Sequence, residues 1–90
     1  MSGRAVKSAN RVIEVMELFG VERRPMSAAE IGNTLGYPKS SVSGLLHTLV
    51  RNGWLSQQVE TMCYHPTLRV ACLGDWLPET LGDVSSTDEI

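Results

Sequence analysis

The first part of the chain carries apolar residues at spacings of three and four, which is the period of an amphipathic helix. Ser8 is positioned to cap a first helix through its side-chain oxygen, and Gly20 to end it. The apolar residues between them predict that one face of this helix packs on a core. That stripe comprises Ala9, Val12, Ile13, Met16 and Phe19.

A second and a third helix follow, separated by a tight turn. Ser27 and Glu30 fit a capping box, in which each side chain accepts a hydrogen bond from a free backbone N–H at the start of a helix. Gly36 ends this short helix, and Pro38 forces a turn because the residue before a proline is pushed out of helical geometry. A third helix is predicted over residues 39–52. Its apolar stripe comprises Val42, Leu45, Leu46, Leu49 and Val50.

Beyond Gly53 the hydrophobic period changes from that of a helix to that of a strand. Residues 54–59 and 61–65 are bulky or β-branched segments that predict a two-stranded hairpin, with its tip at residues 58–61. Residues 67–77 predict a fourth helix, interrupted by a glycine. We therefore expect a mainly α fold with a small β-hairpin, namely a winged helix-turn-helix with a three-helix core and a wing.

The length of 90 residues suits one small domain. We expect a flexible N-terminal arm at residues 1–7, a winged helix-turn-helix domain at residues 8–77 and an acidic, disordered tail at residues 78–90. No apolar run approaches the roughly 18 residues of a membrane span, and no apolar segment follows the N-terminus as in a signal peptide. Two cysteines are too few for a disulfide scaffold, so a reduced, cytoplasmic protein is expected.

Charge is distributed unevenly along the chain, although the formal net charge is only −2. Residues 1–55 carry seven basic and four acidic side chains, whereas residues 56–90 carry one basic and six acidic side chains. A slightly acidic protein can therefore present a basic face and an acidic tail, but most small globular proteins have uneven charge, so this alone is weak evidence for an anionic partner.

Catalytic groups are not evident in the sequence. It contains no glycine-rich phosphate loop, no carboxylate pair and no Ser–His–Asp grouping, so we do not predict an enzyme or a cofactor. Cys63, His65 and Cys72 raise the possibility of zinc, but their spacing and the lack of a fourth ligand favour packing roles instead. The aromatic side chains are interpreted as core or interface anchors. These are Phe19, Tyr37, Trp54, Tyr64 and Trp76.

Five segments occur in an order that resembles a known family. They are KSANRVIEVMELF at residues 7–19, MSAAEIG at 26–32, LGYPKSSV at 35–42, LLHTLVRNGWL at 45–55 and LRVACLG at 68–74. Together they resemble the N-terminal winged helix-turn-helix domain of IclR-type bacterial transcriptional regulators. The resemblance implies sequence-specific binding of a palindromic operator in double-stranded DNA, and repression of nearby genes is the expected outcome. It also implies a homodimer paired through the first helix, with Val15 or Leu18 on its outer edge.

The third helix is the expected reader of base edges in the major groove, through its serine-lined N-terminal end. Basic side chains, including Arg4 and Lys7, are expected on phosphates or the adjacent minor groove. Arg23 and Arg24 fit a solvated loop as well as they fit a phosphate contact. The candidate DNA-contacting residues are Arg23, Arg24, Ser27, Pro38, Lys39, Ser40, Ser41, Ser43, Gly44 and His47.

Three departures from the family keep a second hypothesis open. The family usually has an arginine where this chain has Gly44, and a basic wing tip would grip phosphates where Glu60 repels them. The family's effector-sensing domain is missing, as expected either for a DNA-binding fragment or for a short natural protein. The alternative function is therefore a winged helix that has lost DNA binding and docks another protein.

Overall fold

The computed structural model describes residues 6–78, which form helices followed by a hairpin and a short final helix. This order confirms the predicted winged helix-turn-helix architecture. The predicted acidic tail beyond Pro78, and the predicted arm as far as residue 5, lie outside the described residues. The elements are α1 (Lys7–Glu22), α2 (Ala28–Leu35), α3 (Lys39–Arg51), β1 (Leu55–Gln57), β2 (Tyr64–Pro66) and α4 (Leu68–Leu73).

Both predicted ends of α1 are wrong. Val6 occupies the N-cap position without a side-chain hydrogen bond, so Ser8 lies inside the helix and caps nothing. The helix runs through Gly20, and Arg23 takes the left-handed cap conformation with φ of 55°. A glycine permits a helix end but does not impose one, and here the chain turns only where it must reach the strand-like pairing of Met26 with Tyr64.

The face that α1 buries also differs from the predicted stripe. Val15 and Leu18, expected on an outer pairing edge, are 0% and 9% exposed and belong to the core, whereas Ile13 is 54% exposed. Apolar residues run around most of α1, so their spacing alone does not select a face. Packing against α2 and α3 makes the selection, and Val15 and Leu18 are therefore excluded as dimer contacts.

One core joins the three long helices to the sheet. Val42 and Leu46 from the predicted stripe of α3 are fully buried, while Leu49 and Val50 pack at its margin. Burying such side chains is the main favourable contribution to folding in a domain of this size. The core comprises Val15, Leu18, Phe19, Met26, Ala28, Ile31, Val42, Leu46, Leu55 and Tyr64.

The hairpin is confirmed, with strands shorter than predicted. β1 and β2 are antiparallel, with Ser56 opposite His65, and the residues between Gln57 and Tyr64 form the wing tip. Met26 extends the sheet by exchanging two backbone hydrogen bonds with Tyr64, of 3.0 and 2.8 Å. This bridge fixes the wing to the segment that leads into α2.

The last helix, α4, contributes nothing to the core. It has no buried residue, and Trp76 beyond it is 73% exposed. Of the predicted aromatic anchors, Phe19 and Tyr64 are buried, whereas Tyr37 and Trp54 are half-buried. Within residues 6–78, none of the helices has the length and apolar character needed to cross a bilayer.

Candidate nucleic-acid interface

The predicted capping box at the start of α2 is confirmed. The Ser27 N–H donates to Glu30 Oε1 over 3.0 Å, and the Glu30 N–H donates to Ser27 Oγ over 3.1 Å. The hydrogen bond from the Ser27 backbone, followed by one from the Arg24 side chain, lowers the pKa of the Glu30 carboxyl below its ordinary value. The start of α2 is thus fixed by its own sequence.

The turn between α2 and α3 depends on two glycines. Gly36 closes α2 with φ of 78°, in the left-handed region that glycine adopts without steric cost. The carbonyl of Gly32 accepts hydrogen bonds from the N–H groups of Gly36 and Tyr37, at 2.8 and 2.9 Å. A Cβ on Gly32 would lie 2.9 Å from the Tyr37 carbonyl oxygen, so a side chain there would force the turn apart.

Tyr37 ties this turn to α1. Its hydroxyl donates a hydrogen bond to Glu14, and the Arg11 guanidinium lies 4.4 Å from the centre of its ring. Donation to the Glu14 carboxylate raises the pKa of the Tyr37 phenol above its ordinary value. These contacts with α1 therefore fix the orientation of the turn and of α3, which follows it.

The outward face of α3 is small and polar. At about 100° per residue, Ser40, Gly44 and His47 lie on the side opposite the buried Val42 and Leu46, and all three are exposed. A Cβ on Gly44 would meet no atom of the described residues within 4 Å. Pro38, the N-cap of α3, is exposed as well. Nothing in the part of the chain described here covers this face.

A second group of predicted residues lines a groove between α3 and the wing. Lys39 and Ser43 line it together with Ser27 at the start of α2. The sequence did not predict Gln57 and Met62, which complete the wing side of this groove. No local signal marks these two residues, because the contact depends on how the hairpin folds back towards α3. Ser41 projects to the other flank of α3 and is half-buried.

Arg23 and Arg24 border a separate cleft that includes His65. Arg24 is held by Glu22 at 3.4 Å and by Glu30 at 3.1 Å. The hydrogen bond and charge of Glu30 are the main reasons that the pKa of Arg24 is raised. Two carboxylates therefore lie beside the Arg24 guanidinium, whose side chain remains 48% exposed. Arg23 is exposed and forms no ion pair within residues 6–78.

The wing tip is closed by hydrogen bonds. The N–H of Met62 donates to the Gln58 carbonyl and the N–H of Gln58 to the Cys63 carbonyl, both at 2.8 Å. The Thr61 hydroxyl donates to the Gln58 side chain at 2.9 Å. Met62 has φ of 60°, although it is not a glycine. Glu60 is the one charged residue between Gln58 and Cys63.

Metal binding finds no support in the described residues. Between residues 6 and 78, no three His, Cys, Asp or Glu side chains are grouped closely enough to hold an ion. Cys63 and Cys72 are free thiols, the first half-buried and the second exposed.

Three helices with a glycine-dependent turn, an open polar face on α3 and an adjacent wing define a winged helix-turn-helix domain of the DNA-binding type. The profile of the IclR helix-turn-helix domain matches residues 8–59, and the chain belongs to this family. The family is a DNA-binding domain of transcription factors and not an enzyme family. No curated protein matches the chain.

Solved structures agree with this assignment. An IclR family transcriptional regulator from Brucella abortus is 34% identical with a TM-score of 0.72, over 79% of this chain and 27% of that one. An IclR transcriptional regulator from Alicyclobacillus acidocaldarius is 25% identical with a TM-score of 0.74, over 79% and 29%. An IclR homologue from Microbacterium sp. strain HM58-2 is 25% identical with a TM-score of 0.66, over 74% and 28%. The chain thus spans less than a third of the length of these proteins.

Proposed function

We propose that the chain binds double-stranded DNA sequence-specifically and regulates transcription, with α3 reading the major groove. The observation that carries this proposal is the face of α3 formed by Ser40, Gly44 and His47, which is exposed and which nothing within residues 6–78 covers. A helix with side chains is about 10–12 Å across and the major groove about 12 Å wide, so the small Ser40 and Gly44 allow close approach. Serine and histidine side chains supply the donors and acceptors that base edges require.

Phosphate contacts are assigned to the margin of this face. Lys39, in the first turn of α3, is exposed and lines the groove towards the wing, where Ser27 adds a hydroxyl. Arg23, which forms no ion pair within residues 6–78, supplies a charge further away, whereas Arg24 is engaged by Glu22 and Glu30. So few cations on one domain favour a dimer on a palindromic site, which doubles the phosphate contacts.

The pairing surface is assigned to the exposed side of α1, around Ile13, because Val15 and Leu18 are buried. Such a homodimer would place two copies of α3 on successive turns of one DNA face. Repression follows if the occupied site overlaps a promoter. A cytoplasmic location fits both the cysteine content and a role on bacterial DNA.

The second candidate function is a docking module for another protein. The observations that favour it are the negative Glu60 on the wing tip and the exposed apolar side chains Leu68, Leu73 and Trp76 around α4. A DNA-binding wing usually offers cations to phosphates, and exposed apolar groups mark protein contacts.

The test is a salt titration of the 90-residue chain on duplex DNA. We expect log K to fall linearly with log salt, with a slope of about −0.9 for each phosphate neutralised. Lys39→Gln should reduce that slope by about 0.9 per protomer, whereas Arg69→Gln removes the same charge near Trp54 and should leave it unchanged. Absence of retention on random duplexes at low salt would favour the docking module.

A further inference from the structure

The wing tip contains a residue that its backbone conformation does not favour. Gly36 and Gly53 adopt left-handed conformations with φ of 78° and 85°, as expected for glycine. Met62 adopts the same region with φ of 60°, where a side chain is disfavoured by contact with its own backbone. A strained residue at an exposed tip suggests that its side chain serves a purpose other than folding.

The hydrogen bonds of the tip hold Met62 in this conformation. Its N–H donates to the Gln58 carbonyl at 2.8 Å, and its carbonyl lies 3.4 Å from the Gln57 side-chain amide. The same amide lies 3.9 Å from the Met62 sulfur. The side chain is thus presented in a defined direction, which lowers the entropy lost when it binds a partner.

That direction is towards the α3 side of the wing. Met62 lines the groove that also contains Lys39 and Ser43 of α3, yet 58% of its surface remains exposed. An apolar side chain therefore stands next to the residues proposed to contact DNA.

Charge excludes an electrostatic role for this tip. Glu60 is the one charged residue between Gln58 and Cys63, and its carboxylate repels phosphates. Any favourable contact of the tip with DNA must then come from uncharged groups. Methionine is among the apolar side chains that minor-groove-binding proteins insert between base steps.

We propose that Met62 is the DNA contact of the wing, placing its side chain in the minor groove that flanks the segment read by α3. This inference rests on the proposed function. The contact adds affinity and a preference for the flanking sequence without releasing counterions, because no charge is involved.

The experiment compares two strain-relieving variants, Met62→Gly and Met62→Asn, with the conservative Met62→Leu. The probe is the tightest duplex that the wild-type chain selects from a random 30-base-pair pool. Losing the apolar contact should weaken binding about five- to tenfold in the Gly and Asn variants, with the salt slope unchanged. Their thermal midpoints should equal or exceed that of the wild type, since both residues tolerate positive φ. Met62→Leu should bind within about twofold of the wild type.

Leu68→Asn is the matched control, because Leu68 is an exposed apolar residue at the start of α4, away from α3 and from the exposed side of α1; the DNA affinity of this variant should not change. Binding by Met62→Asn within about twofold of wild type would overturn the inference, as would a weaker salt slope or a lower midpoint in that variant. If Lys39→Gln alters the slope while Met62→Asn has no effect, the proposed function survives and only this inference fails. If the wild type selects no duplex, both are overturned.

Discussion

The turn between α2 and α3 and the tip of the wing are both tight reversals with a left-handed residue, but they reach it differently. In the turn, Gly36 adopts positive φ and Gly32 leaves room for the Tyr37 carbonyl. In the wing, Met62 adopts positive φ and keeps an exposed side chain. The residues of the turn are explained by the fold they build. The hydrogen bonds of the wing tip explain its backbone but not the exposed Met62 side chain, and this difference is the reason for proposing a DNA contact there.

Gly32→Ala is expected to have the largest effect on the stability of the turn between α2 and α3. Its new Cβ would lie 2.9 Å from a backbone oxygen, so α2 and α3 must separate. We expect a loss of about 2–3 kcal/mol in the free energy of unfolding, measured by urea denaturation. The matched control is Gly44→Ala, where the Cβ meets no described atom within 4 Å. Helix propensity there should add about 1 kcal/mol. A loss below about 0.5 kcal/mol in Gly32→Ala would show that the turn is not tightly packed.

Removing half of the capping box at the start of α2 should lower the free energy of unfolding by a smaller amount. Ser27→Ala removes the acceptor of the Glu30 N–H and leaves a helix-terminal donor without its partner. We expect about 1 kcal/mol of lost stability in thermal or urea unfolding. Ser40→Ala is the control, since Ser40 is an exposed residue in the first turn of α3 that caps nothing. Equal losses in the two variants would contradict a specific capping role.

Much of the fold follows from local signals in the sequence. The capping box of Ser27 and Glu30, the glycine that ends α2 and the change of period at the hairpin all act between residues close in the chain. They predict elements correctly because their geometry needs no tertiary context. The buried face of α1 is different: apolar residues surround it, and only packing reveals that Val15 is inside and Ile13 outside.

The site was less predictable than the fold. Ser40, Gly44 and His47 follow from helical periodicity once α3 is placed, but the groove that joins Lys39 to Met62 depends on contacts between residues distant in the chain. Arg23 and Met62 also adopt left-handed conformations, and because neither is a glycine these conformations could not be predicted from the sequence. The ion pair of Arg24 with Glu30 could not be predicted either, because Glu30 comes close to Arg24 only when α2 has formed.

The pH dependence of stability tests the other half of the capping box. The pKa of Glu30 is lowered in the folded state from an ordinary value of 4.5. The unfolded state therefore binds the proton more readily, so this contribution is present above that value and lost as pH falls through the lowered pKa. Glu30→Gln keeps an acceptor for the Ser27 N–H but does not titrate. We expect the stability difference from wild type to shrink as pH falls from about 5 to 3, measured by urea unfolding. A constant difference would contradict the assignment.

The smallest expected effect comes from changing the charge at the wing tip, and it tests whether the tip approaches DNA. Glu60→Gln removes a repulsive charge there and should raise affinity about twofold at low salt, while Glu60→Lys should gain more and steepen the salt slope by up to about 0.9. Neither should change stability by more than about 0.5 kcal/mol, because Glu60 is exposed. Asp75→Asn, an equal charge change at an exposed residue just after α4, is the control in the same titration. A gain confined to Glu60 means that the wing lies against phosphates, whereas equal gains from Asp75 and Glu60 would mean that only net charge matters and that the wing stays away from the duplex.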